Sequence, residues 1–155
     1  MKYDELERKI NIVCEDEGVS KSEIFCIPNR SIAKEICQAE EYLGLKFPNS
    51  YKWFLESYGS GGMDTFDFFG IESDRENIAL FTVVYATDNY RKKGMKKELV
   101  VIQDYGDYVK CIDTSKCDEN NESPIVNWSC YDRGDIDFVS DTFMNYFLEI
   151  LEDYV

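Results

Sequence analysis

Along the first third of the chain, apolar positions recur at helical spacing. Tyr3, Leu6, Ile10, Val13 and Cys14 fall on one face, predicting a helix over residues 3–14 that Gly18 can stop. After a loop holding Pro28 and Asn29, Ser31 can cap a second helix. Its buried stripe is Ile32, Ile36, Ala39 and Leu43, and Gly44 ends it. Pro48 suits the first turn of a third helix, where its missing N–H costs nothing. Tyr51, Phe54, Leu55 and Tyr58 line one side of that helix and Trp53 lies nearly opposite. Gly59 suits its C-terminal cap, and Ser60-Gly61-Gly62 makes a tight exit.

Beyond Gly62 the period changes. The aromatic run "DTFDFFGI" reads as a strand, whereas "ENIALFTVVYATDNYRKKG" reads as a helix whose basic end complements its dipole. "ELVVIQD", "YVKCID" and "PIVNWS" are short, apolar and bounded by turn residues, which marks three strands. Gly106-Asp107 places a hairpin across Asp104 to Tyr108. Ser140 or Asp141 caps a closing helix with Phe143, Phe147, Ile150 and Leu151 on one side. The pattern predicts one α+β domain over residues 1–155, without a repeat or a linker.

Composition narrows the chemistry. At 155 residues, 44% hydrophobic and 15% aromatic, the chain can bury a real core despite a net charge of −14. Such a charge makes bare nucleic acid a poor partner and a basic protein a good one, or it serves solubility alone. No run approaches the ~20 apolar residues of a membrane span. "MKYDELERKINIVCEDEG" lacks an apolar leader segment, so the expected setting is the cytoplasm. The six cysteines include no C-x-x-C pair and read as reduced small hydrophobes. Histidine is absent, which removes Ser-His-Asp and Cys-His catalysis and His-ligated zinc. The expectation is a protein that is not an enzyme and carries no cofactor or metal.

Individual motifs mostly favour plain readings. Gly59, Gly61 and Gly62 follow a helix, the wrong polarity for a phosphate cradle. "DTSKCDENNES" resembles a calcium loop only faintly, lacking the sixth-position glycine and a closing glutamate; it reads as a solvated turn. "RKKGMKK" reads as a helix end and loop. The segment from Asp104 to Asp141 is more informative. It holds ten carboxylates against Lys110, Lys116 and Arg133, with Tyr105, Tyr108, Trp128 and Tyr131 interleaved. Carboxylates around aromatics suit a basic protein surface. The candidate partner-binding residues are therefore Asp104, Asp107, Tyr108, Trp128, Tyr131, Asp132, Asp135 and Asp137. A solvated strand-loop edge is the plainer alternative. A carboxylate pair acting on a glycosidic bond would need two acids close in space.

The block "LGLKFPNSYKWFLESYGSGG" resembles the signature of the SUKH superfamily, which includes the yeast Smi/Knr cell-wall regulators. The matching positions are Leu43, Phe47, Pro48, Tyr51, Phe54, Leu55, Gly59, Gly61 and Gly62. "ELVVIQDYGDYVKCIDT", "PIVNW" and an aromatic-rich helix from Asp141 to Leu151 follow in the family's order, so the likeness runs from Ser31 onward. The resemblance implies a mainly antiparallel sheet wrapped by helices. It also implies a bacterial immunity role: non-catalytic binding of a cognate polymorphic toxin, often a nuclease. The partner expected is then a basic toxin protein, a nuclease domain among the candidates, with no direct nucleic acid and no membrane; the oligomeric state is left open, a monomer being favoured. An intracellular scaffold or regulatory adaptor without a toxin is the alternative. In such a fold the third helix can be buried on two faces, making Trp53 a core residue; an exposed anchor is the other reading.

Overall fold

The computed structural model describes residues 2–132 and 136–154. Helix α1 spans Lys2–Glu17, α2 Lys21–Ile24, α3 Ala33–Leu43, α4 Asn49–Tyr58, α5 Thr82–Arg91 and α6 Phe143–Glu152. Strands β1 (Leu99–Asp104), β2 (Val109–Asp113), β3 (Ile125–Trp128) and β4 (Ile136–Ser140) form an antiparallel sheet in chain order. The expected α+β architecture is the observed one.

The apolar stripes account for the layers. Leu6, Ile10 and Val13 of α1, Phe54 of α4 and Phe143 and Phe147 of α6 are sealed against one sheet face, which presents Val100, Ile112 and Ile125. Phe54 sits among rings, packing on Tyr51, Phe68, Phe143 and Phe147. The other sheet face carries Val101, Val109, Cys111, Val126 and Trp128 beneath Ala86 of α5 and Met95. Trp53 is half-buried: its ring stacks on Tyr3 of α1 at 4.7 Å and meets Tyr58 edge-on at 5.7 Å. The second aromatic side of α4 thus receives α1, a structural role.

One expectation about an element needs correction, and two elements, β4 and α2, went unpredicted. "DTFDFFGI" is no strand: it is a 3-10 turn, Asp64–Phe66, followed by an extended crossing joined to Gly61 by a single bridge. Its backbone bonds go to different segments. Phe68 exchanges with Gly61, Phe69 N–H donates to Ile102, and Ile71 N–H donates to Gly59. Buried Phe66, Phe68 and Ile71 make it read as a strand, yet nothing lies alongside it for long enough to form a ladder. Strand β4 was not anticipated, because "IDFVS" leaves Asp137 and Phe138 exposed and so lacks a strong apolar signal. Helix α2 was also not anticipated, although Ser20 and Glu23 have capping-box spacing: Ser20 N–H donates to Glu23 Oε1 at 3.1 Å.

Several carboxylates in this acidic chain are consumed by the fold. Glu40 Oε2 accepts from Phe47 N–H at 2.7 Å. Glu72 accepts from the N–H and hydroxyl of Thr82, at 2.9 and 2.8 Å, and so caps α5 from a distant loop. Glu122 does the same for α4, accepting from Ser50 N–H at 3.0 Å and from its hydroxyl at 2.7 Å. Asp118 Oδ1 accepts from the N–H groups of Asn120 and Glu122, so the calcium-loop look-alike spends this oxygen on its own turn and the Glu122 carboxylate on α4.

Candidate functional site

At one end of the sheet the β1–β2 hairpin turn meets the turn that follows β3. Gly106, at φ +89°, lets the hairpin close. Its N–H donates to Asp104 Oδ1 at 2.8 Å. Ser129 Oγ donates to the Asp107 carbonyl at 2.7 Å and accepts from Tyr131 N–H at 3.1 Å, locking the two turns together. Between them and β4 lies a hollow of about 420 Å³. Asp107, Tyr108, Asn127, Trp128, Tyr131 and Asp137 line it, and Asp137 stands opposite Asn127 in the β3–β4 register.

Five of the eight candidate residues, Asp107, Tyr108, Trp128, Tyr131 and Asp137, are therefore brought together. Tyr131 is 77% exposed and Tyr108 37%, and both carboxylates reach solvent. Trp128 corrects the expectation of an exposed anchor, being only 3% exposed. It pairs with Val109 on the face that α5 covers, and its ring meets Tyr90 edge-on at 6.1 Å. Its indole is packed on the sheet face opposite Asn127 and Asp137, which leaves no indole surface for a partner.

Asp104 departs from the group as well. It turns toward α5, where Tyr90 Oη donates to Oδ2 at 2.7 Å, and it lines a separate hollow of about 510 Å³ with Tyr85 and Leu80. Asp132 ends the 3-10 turn Cys130–Asp132; its side chain, and the whole of Asp135, lie outside the described residues.

Lys110 is the residue that charge counting undervalues. Its ammonium lies 5.8, 5.2 and 6.0 Å from the ring centres of Tyr105, Tyr108 and Tyr146 and donates to Asn127 Oδ1 at 2.7 Å. Tyr105 and Tyr108 stack on each other at 5.1 Å. Among the described residues no carboxylate lies within ion-pair distance of Lys110, so ring faces and an amide compensate its charge. Burial pushes its pKa down. The cation holds Tyr108 in place beside the hollow. Tyr105 facing Tyr108 across the turn, with Lys110 two residues further on, carried this signal once the hairpin is drawn.

Burial, and then the hydrogen bond to Asp104, push the Tyr90 phenol from 10.0 up to about 12. Folding thus disfavours the phenolate. The stability tied to this group is intact below the ordinary tyrosine value and is lost as the pH climbs through about 12. An Asp104→Asn variant removes one of the causes, so a tyrosine should ionise at lower pH, read as tyrosinate absorbance in an alkaline titration. An unchanged titration would mean that Asp104 does not hold Tyr90.

Among the described residues no group of three His, Cys, Asp or Glu side chains could hold a metal ion, and no helix is long and apolar enough to cross a membrane. A four-stranded antiparallel sheet covered by helices, with a hollow lined by Asp107, Asp137, Tyr108 and Tyr131 at its hairpin end, defines an α+β domain. The family model described as SMI1-KNR4 cell-wall (SUKH_5) matches residues 11–152, and the chain belongs to this family, within the SUKH superfamily.

Proposed function

We propose that this protein is a non-catalytic immunity protein that binds and neutralises a cognate polymorphic toxin in the cytoplasm. Its partner is a basic domain, best fitted by a nuclease, whose nucleic-acid cleft is positively charged. One observation carries the reading: exposed Asp107 and Asp137 stand with Tyr108 and Tyr131 around one hollow. The chain's net charge of −14 would speed encounter, while rigid rings beside charges supply affinity. Membership of the SUKH superfamily fits this role.

The test is growth of cells making, as the candidate toxin domain, the C-terminal domain of the adjacent open reading frame's product, with and without this chain. Wild type should restore growth, and its association rate with the purified domain should fall as salt rises. The Asp107→Lys/Asp137→Lys variant should fold normally, since both sites are exposed, yet lose protection. Full protection by that variant would remove this surface. A regulatory adaptor is the second reading, favoured by the cell-wall description of the matching family. It predicts no growth rescue by wild type.

A further inference from the structure

We propose that the outer edge of β4, centred on Phe138, receives an extended basic segment of the partner as a fifth strand. The inference rests on the basic-partner reading above and specifies how such a partner is gripped. β4 pairs with β3 on one side, and among the described residues no strand or bridge pairs with its other edge. An open edge is a template for another chain, because its outward N–H and C=O groups lack strand partners.

The side chains of β4 say what fits. Phe138 is 66% exposed although it lies in the middle of a strand, on the same side as half-buried Ile136. Across β3 it stands opposite Val126, so the three make an apolar strip reaching the open edge. The strip opens into a hollow of about 670 Å³ whose wall carries Glu98, Asp113, Asp118, Glu122 and Asp141 against Lys96 and Lys116. The opposite side of β4 presents Asp137 to the hairpin-end hollow. Side chains alternate along a strand, so an added strand would lay one row over Phe138 and the other over Asp137.

The matching occupant carries an apolar side chain on the Phe138 row and Lys or Arg on the Asp137 row. A second copy of this chain matches poorly. Each carries a charge of −14, and self-pairing would bring Asp137 and Asp141 of both copies to one seam.

The experiment uses the full chain and a catalytically inactivated form of the same neighbouring toxin domain. In hydrogen exchange, the complex should slow the amides of Ile136–Val139 at least about tenfold against the free chain. Phe138→Asp should raise Kd about tenfold or more while leaving Tm unchanged, because the side chain is exposed. Phe138→Leu should keep most of the affinity. If wild type binds the domain but β4 exchanges at its free rate and Phe138→Asp binds equally well, the strand addition is overturned and the toxin reading stands. If wild type binds no toxin domain, both fall. If the free chain sediments as a dimer that Phe138→Asp dissolves, the edge belongs to a second copy and the basic occupant is overturned.

Discussion

Replacing Gly70 with alanine should lower the unfolding free energy by at least about 3 kcal/mol. A Cβ at this position would fall well inside contact distance of the Gly59 carbonyl oxygen and 3.1 Å from Leu55 Cδ2. The backbone has no room to retreat. Gly70 N–H donates to Thr82 Oγ1 at 2.9 Å, while its carbonyl accepts from Val83 N–H at 3.1 Å. Gly59, in turn, has its carbonyl committed to Ile71 N–H. Shifting either chain would therefore break bonds in a sealed core, where relaxation is small. Gly94→Ala is the matched control. Its φ of +100° disfavours a side chain, but no atom lies within 4 Å of the added carbon, so the loss should stay near about 1 kcal/mol. Urea unfolding of both variants checks the pair. Equal losses would mean that the crossing of residues 59 and 70 yields easily.

Trp128→Ala should cost about 3–5 kcal/mol, the range for emptying a buried aromatic site. The indole is packed beneath Tyr90 and between Val109 and Ile136 across the sheet. Its removal leaves a void between the sheet and α5, behind the strand whose Asn127 faces the hollow. Trp128→Phe should recover much of the stability and most of the partner binding. Tyr131→Ala should behave in the opposite way, with stability within about 0.5 kcal/mol of wild type and weaker binding, because its ring is exposed. Thermal unfolding and titration against the toxin domain separate the two behaviours. A Trp128→Phe variant that keeps its Tm yet fails to bind would show that the indole itself meets the partner.

These two residues show how the function reading depends on context. Gly59 reads as a helix cap from its position after Tyr58. Nothing local announces Gly70, whose constraint comes from a segment eleven residues away folding back over it. Trp128 reads as an anchor because it lies among carboxylates in sequence. A strand, however, sends adjacent residues to opposite faces, and the covering of one face by α5 decides which aromatic is lost to solvent. Phe138 lies on that same face but on the edge strand, outside the cluster beneath α5, and goes unnoticed as long as "IDFVS" is not read as a strand.

By itself the sequence determined the helices with continuous apolar stripes, the hairpin at Gly106, the acidity and the exclusion of histidine chemistry. Each of these follows from local periodicity, turn geometry or composition. Only the tertiary structure decided which carboxylates are free. Glu40, Glu72 and Glu122 are occupied by backbone N–H groups of distant helices or loops, whereas Asp107 and Asp137 remain exposed. A carboxylate's availability depends on which donors the folded chain brings near it, and those donors lie dozens of residues away in the case of Glu122. Charge can be counted along a chain, but a field belongs to the surface that folding makes.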